Sequence, residues 1–276
     1  MHLGSQSMSL HSAAQEAFDR GAYLASAASW RRAAELLEAA GSSSPRDLAA
    51  ILNNLGMACK FCGRYQESEQ AYQRALNLMR CVVDPDHIEC APLYHNLGGL
   101  EHARGRCAAG EVWARKGLAI RLRAQGPDHV ETAADIAALA ALLDGQGKFD
   151  ESEPLHLHAL AVFERELGPE HIETGMALAN LAALRSAQAR ITEAVALSLR
   201  ALAIKRHHLG EFHPSAGWSW NNLAVLERAR GNQAAAEECF ARALAILEPA
   251  LGDAHRHVVT CRSNYEALRE SRAAHR

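Results

Sequence analysis

Fifteen histidines, seven cysteines and a recurring set of asparagines are the residues of this 276-residue chain whose types and spacing suggest chemistry. Cys59 and Cys62 form a CxxC pair, a pattern able to exchange a disulfide or to supply half of a zinc site. A reactive thiol needs a helix N-terminus or a nearby cation to lower its pKa. This pair falls near the end of a helical stretch, with no strand before it and no second CxxC after it, so structural thiols are expected. His87, His129, His171, His213 and His255 recur every 42 residues. Successive members stand about two helix diameters of 10 Å apart, too far to share one ion. They are expected to cap helices or to pack in junctions. His156/His158 and His207/His208 are too close in sequence to share a helix face. No nucleophile elbow, phosphate loop or zinc-protease signature is present. The expectation is no catalytic residue, no metal and no cofactor.

The asparagines remain. Asn54, Asn96, Asn180, Asn222 and Asn264 keep one phase, with Ala138 as the exception. Asparagine is a poor residue for the middle of a helix, and its carboxamide both donates and accepts, as a peptide backbone does. Two readings stand side by side: the column binds an extended chain, or it packs and caps between neighbouring helices.

The elements that hold these residues follow from other columns of the same period. Leu55, Leu97, Leu139, Leu181 and Leu223 come next in phase, followed by Gly56, Gly98, Ala140, Ala182 and Ala224. Two more small columns are Ala33/Ala75/Gly117/Ala159/Ala201/Ala243 and Ser26/Ser68/Gly110/Ser152/Ala194/Ala236. Small residues in register let helices approach closely. Gly21, Gly63, Gly105, Gly147 and Gly231, with Ala189 in the gap, suit a tight turn between two helices. Gly126-Pro127 and Gly168-Pro169 end one helix and bar its continuation. Each unit is thus a helical hairpin that cannot bury its apolar face alone. First helices are expected at roughly 8–19, 46–61, 88–103, 130–145, 172–187 and 214–229. Second helices are expected at roughly 23–39, 65–82, 107–124, 149–166, 191–208 and 233–249. The fold class is all-α, a right-handed α-solenoid in one domain over 1–276. Its repeats are approximately 3–44, 45–86, 87–128, 129–170, 171–212 and 213–254. A C-terminal capping helix at about 255–272 is charged on its outer side by Arg262, Glu266, Arg269 and Glu270.

These residues resemble the tetratricopeptide repeat: leucine then a small residue, a turn glycine, then aromatic and small positions. Trp220 stands two residues before Asn222, and Tyr65 and Phe149 open second helices. The ordinary repeat has 34 residues. The longer period here, with "NNLG", "NNLA", "ALAI" and "LGPEHIET", is similar to the variant of kinesin light chains and many bacterial proteins. The first unit departs most, with Ser12 and Ala13 in place of asparagine and leucine, and is read as an N-terminal cap. The resemblance implies that first helices line a concave groove and that Asn54, Asn96, Asn180 and Asn222 hold a peptide backbone. Helical phase adds Asn53, Lys60, His95, Trp218, Asn221 and Arg228 to the inward set. Lys60 or Arg228 would pair with an acidic group, and Ala138 would divide the groove into two halves. Trp30 and Trp113, on second helices, are expected to pack.

Composition bounds the partners. Aromatic residues are 5% of the chain and the net charge is −3, so no basic face for nucleic acid is expected. No apolar run reaches the ~20 residues of a membrane span, and the first ten residues do not read as a secretory signal. Seven scattered cysteines do not make a disulfide framework; the chain reads as cytoplasmic. The expected function is a non-enzymatic adaptor that binds a protein or peptide ligand. The alternative is a regulatory sensor whose solenoid shape responds to a small molecule or signal peptide. Self-association into a homo-oligomer stays open.

Overall fold

The computed structural model describes residues 2–41 and 44–274, with side chains over 9–41 and 44–271. Met1, residues 42–43 of the first expected repeat and residues 275–276 lie outside the described residues. Among the described residues the regular structure is thirteen α-helices and one short 3-10 turn. The helices are α1 (His2–Asp19), α2 (Tyr23–Ala39), α3 (Pro45–Phe61), α4 (Tyr65–Arg80), α5 (Ala91–Ala103), α6 (Cys107–Gln125) and α7 (Val130–Asp144). They continue with α8 (Phe149–Glu166), α9 (Ile172–Ala187), α10 (Ile191–Leu209), α11 (Pro214–Ala229), α12 (Gln233–Leu251) and α13 (Arg256–Ala274). They form two compact units, one ending at Leu155 and the other starting at His156, so the change falls inside α8. Each unit is a stretch of helical solenoid built from tandem hairpins.

The hairpin has local causes. Gly63 (φ 79°), Gly105 (φ 74°) and Gly147 (φ 74°) turn the chain in the left-handed region between first and second helices. Ala189 makes the same turn at φ 59°. At the junctions the histidine column caps the following helix. Nδ1 of His87, His129, His171 and His213 accepts the N–H of Glu89, Glu131, Glu173 and Ser215 at 3.3, 3.3, 3.2 and 3.1 Å. His255 accepts from His257 N–H at 3.3 Å in the same way. Histidine therefore does at these five starts what Ser or Asp more often does. Two boundaries differ most from expectation: α1 already starts at His2, and α5 starts at Ala91, after a 3-10 turn over Ile88–Cys90. Pro92 has no N–H to donate to the Ile88 carbonyl, which instead accepts from the Ala91 N–H in 3-10 fashion.

The small columns set the helix approach. Ser26 Oγ donates to the Ala14 carbonyl at 2.8 Å, and Ser68 Oγ to the Gly56 carbonyl at 2.7 Å. At the third such position, a Cβ on Gly110 would stand 2.9 Å from the Gly98 carbonyl oxygen, so only glycine fits without a shift. In the first unit the core contains Trp30, Tyr72, Leu76, Tyr94 and Leu100. Trp30 is fully buried and Trp113 stacks on Tyr94 with centroids 6.0 Å apart, so both pack as expected. In the second unit Trp220, Leu223, Phe240 and Leu247 form the core, and Val258, Cys261 and Leu268 of α13 close it. First helices adjoin first helices, α3 with α5, α5 with α7, and α11 with α13. That adjacency lines up α3, α5 and α7 in the first unit and α11 and α13 in the second.

Candidate binding face

In the first unit the face carries Asn53, Asn54 and Lys60 from α3 and His95 and Asn96 from α5. Asn96 is buried, and its Nδ2 donates to Asn53 Oδ1 at 2.8 Å. That carboxamide links two neighbouring first helices. Asn54 is half-buried and, among the described residues, has no side-chain hydrogen bond. Lys60 Nζ lies 4.9 Å over the Phe61 ring and 3.4 Å from where a Gly99 Cβ would be. Burial there pulls its ammonium down to about 8. His102 is lowered as well, by burial first and then by Lys60, while Asp144 acts in the opposite direction.

His95 Nδ1 is 2.6 Å from Asp135 Oδ1, and Arg121 Nε is 2.8 Å from Asp135 Oδ2. Arg121 also reaches Glu131. Asp135 and Arg121 are buried while His95 keeps one edge in solvent. This network fixes the half-exposed His95 ring. Sequence reasoning singled out His95 but missed Asp135 and Arg121. The signal was present: Asp135 stands in a column otherwise held by Ile51, Leu93, Ala177, Ser219 and Cys261.

In the second unit Asn180 is half-buried and, among the described residues, makes no side-chain hydrogen bond. Asn222 is exposed, with its Oδ1 3.5 Å from Asn221 Nδ2. Arg228 is exposed on the same helix. A cavity of about 230 Å³ opens between α9 and α11 over α10, lined among others by Ala179, Ala183, Ser219, Asn222 and Val225. Trp218 is not part of its wall. The indole packs against His257 of α13, centroids 5.6 Å apart. Burial favours the protonated thiols of the CxxC: Cys59 is pushed up to about 11 and Cys62 is raised too, with Cys62 Sγ 3.4 Å from the Cys59 carbonyl. Among the described residues no group of three or more His, Cys, Asp or Glu side chains is placed to hold a metal ion.

The Tetratricopeptide repeat sequence profile matches residues 47–123, 132–207 and 188–249. The chain belongs to the tetratricopeptide repeat family. Solved structures are similar to this tetratricopeptide repeat protein in fold. BtubC (BKLC) from P. vanneervenii is 22% identical, with 91% of this chain and 93% of that one covered and a TM-score of 0.57. A kinesin-light-chain-type protein of nearly identical TPR-like repeats from Podosopora anserina is 22% identical, with coverage of 74% and 97% and a TM-score of 0.52. A Rap protein complexed with Competence and Sporulation Factor is 16% identical, with coverage of 85% and 69% and a TM-score of 0.65. No curated protein sequence matches the chain. Among the described residues no helix is long and apolar enough to cross a membrane.

Proposed function

We propose that this tetratricopeptide repeat protein is a protein-interaction scaffold whose first-helix face holds an extended segment of a partner. The observation that carries the reading is the state of Asn54 and Asn180: carboxamides in mid-helix, half-buried, without a side-chain hydrogen bond among the described residues. Asparagine there weakens a helix, and neither carboxamide is engaged by a neighbouring side chain among the described residues. A peptide backbone crossing the face would meet both donor and acceptor. Asn222, exposed beside the second-unit cavity, extends the same column. Asn96 contributes differently, by holding Asn53 in place through their mutual hydrogen bond.

The test is selection of peptides from a random library on the wild-type chain, followed by affinity measurement on a folded Asn54/Asn180/Asn222 alanine triple variant. A loss of at least tenfold, about 1.4 kcal/mol, is expected. Equal affinity would place binding on another face. The Rap protein complexed with Competence and Sporulation Factor supports a second reading, a sensor that changes shape on ligand binding. Small-angle scattering of the chain with and without a selected peptide separates the two, since an adaptor of fixed shape leaves the curve unchanged.

A further inference from the structure

The two units treat one position of the repeat differently. In the first, the core-facing cation Arg121 of α6 is met by Asp135 and Glu131 of α7, and His95 of α5 completes the cluster. Two periods of 42 residues later the same positions are Lys205 of α10, Ser219 and Ser215 of α11, and Ala179 of α9. The cation is kept, both carboxylates have become hydroxyls, and the imidazole has become a methyl group.

The structural result is visible in the second unit alone. Lys205 Nζ donates to Ser219 Oγ at 3.3 Å, and Ser219 Oγ donates to the Ser215 carbonyl at 3.1 Å. Among the described residues no carboxylate pairs with Lys205. Lys205 is half-buried, and desolvation alone holds its ammonium down at about 8. Where the truncated side chains leave room, the cavity of about 230 Å³ opens, with Ala179 and Ser219 both in its wall and Lys205 behind Ser219. A cation partly removed from water without a counter-charge is unfavourable. The other residues at this repeat position, Leu37, Met79, Phe163 and Leu247, show that the fold accepts an apolar side chain in its place.

We propose that this cavity is a binding site for a carboxylate on a short stem, supplied by an acidic side chain of the bound polypeptide. The carboxylate takes the part that Asp135 plays in the first unit, accepting from Lys205, while the Ser219 hydroxyl keeps its bond to the Ser215 carbonyl. The stem lies along Ala179, Ala182, Ala183 and Val225, and Asn222 at the wall is placed to meet the flanking backbone. The occupant's identity as a polypeptide rests on the reading given under Proposed function; the carboxylate site itself rests on Lys205 and the cavity.

The experiment is a calorimetric and NMR titration of the full chain with four probes: butyrate, butyramide, N-acetyl-glutamate amide and N-acetyl-glutamine amide. Each acid is expected to bind at least tenfold more tightly than its amide. Lys205→Met, which copies Met79 at the same repeat position, abolishes that preference. Ser219→Asp restores an internal carboxylate, so it too abolishes the preference and raises the melting temperature. Equal binding of acid and amide by wild type overturns the site, and so does a preference that survives Lys205→Met. Butyrate binding as tightly as the glutamate probe overturns the polypeptide source in favour of a small organic acid. Library peptides that bind Lys205→Met as well as wild type, yet weaken on the asparagine triple variant, overturn this site while leaving the peptide-binding face intact.

Discussion

Glu111 shows how much a single side chain in this scaffold depends on its neighbours. Its carboxylate accepts from Lys148 Nζ at 2.9 Å and Gln146 Nε2 at 2.7 Å, and pairs with Arg115 at 2.8 Å. Lys148 first and Gln146 next hold it down at about 2. An unfolded glutamate titrates near ~4.3, so the folded state binds fewer protons between those values. The stabilisation is complete above that unfolded value and is lost as pH falls through about 2. Glu111→Gln is expected to cost about 1 kcal/mol at neutral pH, discounted because Lys148 and Arg115 are partly exposed. Denaturation of both forms from pH 7 down to 2 checks this: the gap between them should close on acidification. A gap that stays constant would mean packing, not charge, accounts for the change. Residues such as Asn54 and Asn180 announce themselves by type and phase. The bond from Asn96 to Asn53 does not, because it joins residues 43 apart in sequence on different helices.

The helical hairpin is where sequence columns translate most directly into structure. The turn between first and second helices needs positive φ, and glycine meets it at Gly63, Gly105, Gly147 and Gly231. Ala189 holds the same turn at φ 59°, where its Cβ crowds the following carbonyl at ~1–2 kcal/mol. Ala189→Gly is therefore expected to stabilise the α9–α10 hairpin by about 1 kcal/mol, reduced somewhat by the entropy of the unfolded glycine. Hydrogen exchange of α9 and α10 amides should slow in the variant; faster exchange would mean that packing around the methyl group outweighs the strain. The histidine column was legible as a junction feature, and its cap bonds give it a reason: Nδ1 accepts the N–H two residues on, five times over. The 3-10 start before α5 was less legible, since it arises from Pro92 within one repeat and not from the period.

At the scale of the chain, stability in a stack of hairpins passes from neighbour to neighbour, and its ends need covers. In the second unit α13 packs over α12. Val258, Cys261 and Leu268 bury against the cluster containing Phe240 and Leu247, with the Phe240 and Tyr265 rings 6.0 Å apart. Its other side is exposed at Glu266, Arg269 and Glu270, while Arg262 pairs with Glu248 and Asp253 at 2.6 and 2.9 Å. Removal of 256–274 is expected to lower the melting temperature by several degrees and to produce concentration-dependent association through the uncovered face of α12. Sedimentation of the truncated chain tests it; a monomer with an unchanged melting curve would show that α12 needs no cover. The chain's columns determined the helices, their turns, their caps and the repeat family, because each of those depends on residues within one period and on the fixed pitch of a helix. Tertiary structure decided which charges meet. Arg121 finds Asp135 and Glu131, while Lys205, among the described residues, finds Ser219 beside an open cavity and no carboxylate. Those partners come from other helices, so packing and not spacing along the chain sets whether a buried cation is answered from within.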